Sequence, residues 1–197
     1  MPDLSQAQPV AFNCEGGLVK NRSTFMMQPG EALELENFEP DVEGGYKRIQ
    51  GFSKYVTGVV PHTSTTSEPI LMVASFADKV VAARGTSIFQ ATPGGSSWTS
   101  IDSGRTSAAK YNFERFNFDG NEKLIVVDQT NAPTVFNSSF SATDVSESSV
   151  AGSKFVAAFK NHMFYAGKSS SPQEVVFSEP FDEDAFVSGQ GAGSIKV

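Results

Sequence analysis

The sequence predicts an all-β chain of β-propeller-like, antiparallel four-stranded blades, in part a partial propeller, preceded by an irregular Gly-rich N-terminal segment. Three observations predict it. Short runs rich in Val, Ile, Phe and Tyr recur between clusters of Gly, Pro, Asn, Asp and Ser, while long apolar series at helical spacing are missing. The runs fall into consecutive groups of four. Their turns, at Asp78 and Lys79, Asn121 and Glu122, then Asn161 and His162, recur at about 40 residues, the length of a propeller blade.

Two regions are expected, an extended assembly segment over 1–60 and a propeller-like domain over 61–197. Within the first, GEALELEN at 30–37 offers helix formers after a proline, yet Leu33 and Leu35 alternate with Glu34 and Glu36 as in an edge strand, so a short helix and a strand both stay open. The first blade is expected from strands at 70–76, 79–84, 87–91 and 98–101, the second from 111–118, 123–128, 134–137 and 142–145. The third comprises 154–159, 162–166 and 174–177 and is expected to be incomplete, because a loop with Gly189, Gly191 and Gly193 intervenes before a strand beginning at Ser194.

The second strand of each group is apolar, VVAA from Val80, LIVV from Leu124 and MFYA from Met163, as inner strands buried on both faces would be. Each third strand keeps one aromatic, Phe89, Phe136 or Phe177. Tyr111 and Phe113 should point to one face and Phe116 and Phe118 to the other, unless a bulge at Glu114 or Arg115 shifts the register. Such a strand fills cores between blades without needing a ligand. A sandwich or a barrel accounts for the same strand count.

Composition excludes several function classes. Fifteen Lys and Arg against 22 Asp and Glu give a net charge of −7, and no basic block compensates, which argues against gripping nucleic acid through its phosphates. A single cysteine, Cys14, forms no internal disulfide and is expected to be a buried or idle thiol. The start of the chain has neither the basic residues nor the apolar run of a signal peptide, and no stretch of about 18 apolar residues is available to cross a bilayer. No membrane insertion by this chain is expected.

Candidate sites are weak on chemistry. Gly44 and Gly45 before Tyr46, Lys47 and Arg48 lack the strand, helix and hydroxyl residue of a phosphate-binding loop, so a turn is expected, and GQGAG at 189–193 has no helix after it. Asp182, Glu183 and Asp184, like Glu34, Glu36, Glu39 and Asp41, are expected on solvated turns, because neither a facing carboxyl pair nor a calcium-loop pattern is visible. His62 and His162 have no partners that the sequence names. No catalytic residue, cofactor or metal is expected.

One segment carries more. Residues 16–55 read GGLVKNRSTFMMQPGEALELENFEPDVEGGYKRIQGFSKY. Gly16, Gly17 and Leu18, then Phe25 and Met27 before Pro29, Gly30, Glu31 and Ala32, then Leu35, Asn37, Phe38 and Pro40, and finally Gly44, Gly45, Tyr46, Arg48, Gly51 and Phe52 are its marks. This resembles the opening of tailed-bacteriophage tail nozzle, tail tubular protein B-like or packaged-DNA stabilisation (head-to-tail) virion proteins, although family members are usually much longer.

The resemblance implies a structural virion protein, not an enzyme, made in the host cytoplasm and located in the phage tail or neck. It implies a ring of identical subunits, sixfold, that conducts and retains genomic DNA without binding it specifically, and neighbouring tail or head-to-tail adaptor proteins and tail fibres as partners. The acidic balance suits a channel that must not hold phosphate. The competing function is a propeller-like adaptor or receptor-binding tail protein that takes a host glycan on loops such as Gly94 to Trp98. A glycoside hydrolase ranks third.

Overall fold

Each predicted group of strands is one antiparallel meander in the computed structural model, which describes residues 15–42, 44–64, 67–106 and 110–196. Cys14, and the expectation attached to its thiol, lie outside the described residues. The chain divides into two compact units, Met1–Ser53 and Lys54–Val197.

The second unit holds three four-stranded sheets in sequence order. Sheet I is β5 (Ile70–Phe76), β6 (Lys79–Arg84), β7 (Ser87–Ala91) and β8 (Thr99–Asp102), where the sequence places them to within a residue. Sheet II is β9 (Asn112–Phe116), β10 (Lys123–Val127), β11 (Thr134–Phe136) and β12 (Ala142–Asp144). Sheet III is β13 (Phe155–Phe159), β14 (His162–Lys168), β15 (Ser171–Phe177) and β16 (Gly193–Lys196).

The third blade is therefore complete, against the expectation that it would be partial. The excursion after Phe177 folds on itself, with Glu179 N–H donating to Ala185 O at 2.8 Å and Phe181 N–H to Asn161 O at 2.7 Å, and returns the chain so that Val175 faces Ile195 and Phe177 faces Gly193. Two hairpins close with paired positive φ, Ala77 (45°) with Asp78 (58°) and Lys160 (48°) with Asn161 (65°). That geometry matches the twist of the strands it joins.

Alternation along β10 builds the core. Leu124 and Val126 join Met72, Phe76, Val81, Ile88 and Phe136 in one buried cluster, whereas Ile125 and Val127 join Val156, Met163 and Tyr165 in a second. Sheet II is thus buried on both faces, between sheet I and sheet III. Each large side chain so buried contributes roughly 1.5–3 kcal/mol. The β9 register is unbroken from Lys123↔Phe116 to Val127↔Asn112, so no bulge intervenes. Tyr111 and Phe113 accordingly pack in the first cluster and Phe116 and Phe118 in the second.

The first strands adjoin, β5 beside β9 and β9 beside β13, while the fourth strands β8, β12 and β16 have no comparable contact with one another. Sheets that meet along their first strands and diverge toward their fourth are arranged as propeller blades, not as the layers of a sandwich, and no sheet closes into a barrel. The inner-strand expectation holds for β10 and for Val81 to Ala83 of β6. On β14 it holds for one face only, since Met163 and Tyr165 are buried but Phe164 and Ala166 are half-buried.

A strap precedes sheet I within the second compact unit. Thr57 N–H donates to Gly95 O at 2.9 Å, Gly94 N–H to Tyr55 O at 2.7 Å and Trp98 Nε1–H to Gly58 O at 3.0 Å. At the other end Arg84 donates to the carbonyls of Val60 and Glu68 and meets His62 Nε2 at 2.8 Å.

The first unit is made of short pairs: β1 (Gly17–Leu18) runs parallel to β2 (Glu31–Ala32), and β3 (Phe38–Pro40) pairs antiparallel with β4 (Tyr46–Arg48). A single 3₁₀ turn covers Thr24–Met26, and among the described residues no α-helix forms. Neither alternative for 30–37 extends over its length. The positive φ of Gly30 (88°) and Asn37 (61°) interrupts the backbone at both ends, leaving only the two-residue β2 between them.

Candidate functional site

In the first unit the expected assembly residues fall into two knots. Gly16 lies so close to Glu31 that a Cβ there would stand 2.6 Å from the Glu31 backbone nitrogen, so only glycine fits. Glu31 is the staple of this knot, its carboxylate accepting from Arg22 Nη1 at 2.8 Å and from the Gln28 N–H at 2.9 Å across Met27, Pro29 and Gly30. Gly17 follows with φ 68° and Phe25 sits on the 3₁₀ turn.

The second knot is the β3–β4 hairpin. Asp41 N–H donates to Gly45 O at 3.2 Å and Gly44 N–H to Asp41 O at 3.1 Å, with φ of 98° at Gly44 and 80° at Gly45. This is the turn the sequence predicts, not a phosphate cradle. Phe38 meets Tyr46 edge-on at 5.5 Å, Arg48 pairs with Phe38 in register, and Ile49 N–H donates to Asn37 O at 2.9 Å.

What distinguishes this unit is its lack of a core. None of the described residues from 15 to 53 is buried, and Phe25 is 98% and Phe52 94% exposed. Backbone hydrogen bonds, the Glu31 staple and the contacts of Lys47 with Glu39 and Asp41 hold its local shape. Leu18, Met26, Val42 and Ile49 of this unit are exposed as well.

The acidic residues of 182–184 do not all lie on a solvated turn as expected. Glu183 is buried, where its carboxylate takes Lys123 Nζ at 2.8 Å and its carbonyl takes the Tyr165 hydroxyl at 2.8 Å. The lysine pays back the desolvation of the carboxylate, so burial of Glu183 is tolerated. Asp182 and Asp184 are exposed, and partial desolvation, reinforced by neighbouring carboxylates, raises the Asp184 carboxyl above its ordinary range. Lys123, Asp144, Glu183 and Asp184 line a crevice of about 220 Å³ between sheet II and the connection from β15 to β16. Its two innermost charges already neutralise each other.

His62 and His162 have structural partners that the sequence does not name. His62 meets Arg84 in the strap, and His162 Nδ1 lies 2.7 Å from Ser178 O with its ring edge-on to Phe177. Trp98, the aromatic nearest the turn considered for glycan binding, is half-buried and tied to Gly58 O, so its indole fastens the strap. Among the described residues no group of three His, Cys, Asp or Glu side chains is placed to hold a metal. Gly189 and Gly191 adopt φ of 98° and 101° in a loop.

A polar knot between sheets I and II is not among the sites the sequence suggests. Arg105, on the β8–β9 connection, reaches Asp102 at 2.9 Å, Asp128 at 3.2 Å and the hydroxyls of Tyr111 and Thr134. Asp128 Oδ1 accepts the N–H groups of Thr130 and Asn131 at 3.0 and 2.8 Å. Burial works against the Asp128 charge, yet these donors and Arg105 hold its carboxyl below the usual range. The only early signal was an Asp followed three residues on by Asn before Ala-Pro, the pattern of a side-chain-capped turn.

The fold and this surface define a class: an all-β protein of propeller-like four-stranded sheets with a coreless N-terminal unit. No protein-family model matches the chain, and no curated protein is significantly similar to it.

Proposed function

We propose that the chain is a structural virion protein of a tailed bacteriophage, a tail nozzle or neck component whose copies form a ring that conducts and retains the genomic DNA. The observation that carries this is the coreless unit of residues 15–53, which coincides with the segment resembling that family and leaves Phe25 and Phe52 bare. Burying such a side chain on a partner is worth roughly 1.5–3 kcal/mol each, so assembly supplies the apolar contacts that the isolated unit lacks. Identical subunits and neighbouring tail or head-to-tail adaptor proteins are the partners. With a net charge of −7 repeated around the ring, DNA passes without being held.

The test is to introduce Phe25→Asp with Phe52→Asp into the full chain and to follow its entry into phage particles and their DNA retention. Loss of incorporation, with the thermal unfolding of the second unit unchanged, is the expected result. Particles that lack the protein yet keep their DNA and infect normally would refute the assignment, and specific glycan capture by the purified chain would favour an adaptor instead.

A further inference from the structure

Arg84 is a buried cation that the polar knot does not use. Along β6 and β7, Val81, Ala83 and Ile88 face sheet II, so Ala82, Arg84 and Phe89 lie on the opposite face of sheet I. They are buried there too, and Arg84 is only 8% exposed. Among the described residues no carboxylate forms an ion pair with its guanidinium. Its partners all belong to the strap, which places the strap on this face: Val60 O, Glu68 O at 2.9 Å, and His62 Nε2, which lies 2.8 Å from Arg84 Nη2.

That last contact fixes where His62 keeps its hydrogen. A guanidinium donates and never accepts, so Nε2 offers its lone pair and the neutral ring is protonated on Nδ1. Nδ1 in turn faces a donor, the Glu68 N–H at 3.4 Å. Among the described residues neither ring nitrogen has an acceptor in reach, and a second ring proton would point at Arg84. The charged groups at this corner are Arg84 from β6 and the Glu68 carboxylate from the strap. That carboxylate is already engaged, accepting the Thr63 N–H at 2.8 Å and the Thr63 hydroxyl at 2.9 Å. Strand β5 and the β6–β7 turn bring Ile70, Gly85 and Thr86, which carry no charge. His162 is built differently, since its Nδ1 has the Ser178 carbonyl as an acceptor.

We propose that the strap is a pH-operated cover on the outer face of sheet I, with neutral His62 as its latch. While the strap is seated, Nε2 is committed to Arg84 and takes no proton. Once it lifts, the imidazole is free to take one, so acid favours the lifted state through linkage. Lifting bares Ala82 and Phe89 and leaves the Arg84 guanidinium to water. A histidine without partners titrates near pH 6.5, which lies above the range of carboxylates such as Glu68. From pH 7.5 to 5.5 the opening constant should therefore rise about tenfold.

Amide exchange of the full chain, corrected for the intrinsic effect of pH, tests this at two places. Thr86 N–H is held by the Thr63 hydroxyl at 3.0 Å and Gly94 N–H by Tyr55 O at 2.7 Å, both of which the strap supplies. Both amides should open about tenfold more often at pH 5.5 than at pH 7.5. His62→Gln offers Arg84 an amide oxygen that takes no proton, and should hold the strap seated at both pH values. His162→Gln should respond as the wild type does. A wild-type change under about twofold at either amide, an acid response that survives His62→Gln, or one abolished by His162→Gln would overturn the proposal.

Discussion

Replacing Asp128 with Asn keeps the side-chain shape and removes the charge at the junction of sheets I and II. Asp128 is wholly buried, and its Oδ2 takes Asn131 Nδ2 at 2.6 Å together with Arg105 Nε at 3.3 Å and Nη2 at 3.2 Å. The substituted amide must turn an NH₂ toward donors, and Arg105 is left in the interior with Asp102 as its remaining carboxylate. Stripping one partner from a buried pair typically costs about 3–5 kcal/mol, and the surviving Asp102 contact puts the expectation near 3 kcal/mol. For a chain of this size that is a fall in Tm of about 6–12 °C. Urea unfolding followed by the fluorescence of Trp98, the single tryptophan, reads the second unit alone. Because the Asp128 pKa is lowered in the fold, its contribution is present above the ordinary carboxylate range and is lost as pH falls through the folded value, so wild type and variant should converge in acid. The double variant with Arg105→Met should be less unstable than the two single losses summed, by roughly 1–3 kcal/mol. A loss under about 1 kcal/mol, or strict additivity, would refute the claim that this pair couples the sheets.

Two further outcomes follow from burial and backbone. Burial raises the Tyr111 hydroxyl from 10.0 to about 12, against the pull of Arg105, and burial raises Tyr165 further in the same direction. The folded state therefore keeps protons that the unfolded chain releases, and stability should fall above pH 10 by about 1.4 kcal/mol per pH unit for each tyrosine. Tyr111→Phe should remove one such slope from the urea midpoint measured against pH; an unchanged slope would contradict the burial of this phenol. Gly85 has φ 58° and its missing Cβ would collide with the Thr63 hydroxyl and the Glu68 carboxylate, whereas Gly94 has φ 73° and open space around it. Gly94→Ala should cost about 1 kcal/mol of backbone strain and Gly85→Ala at least twice that, with equal losses counting against the strap's close seat on the β6–β7 turn.

The strands were legible because a blade is a local structure. Its period-two alternation, its turn residues and its spacing all lie within about 40 consecutive residues, and the opposed directions of Tyr111 with Phe113 and Phe116 with Phe118 follow from alternation alone. The completeness of sheet III was not legible, since β16 reaches β15 only after an excursion whose own hydrogen bonds, Glu179 to Ala185 and Phe181 to Asn161, set the return register. Nor was the fate of Glu183, because the lysine that neutralises it lies sixty residues earlier, on sheet II, whereas Glu183 sits in the β15–β16 connection.

The same distinction between local and distant determinants separates the N-terminal unit from the outer face of sheet III. Glycines and the Glu31 staple shape the N-terminal unit from within about fifteen residues, so its turns are written in its own sequence, and what it lacks, a core, is equally visible as apolar residues without periodicity. The face of sheet III is different in kind. Phe155, Phe159, Phe164, Phe177 and Ile195 come from all four strands and read in sequence as ordinary inward residues of a blade. Only the stacking order tells them apart from Leu124 or Val126, which obey the same alternation but have sheet I in front of them. A repeated architecture uses one apolar alternation on both faces of every sheet, so which joint a residue belongs to is decided by the repeat that stands beside it and not by its own local pattern.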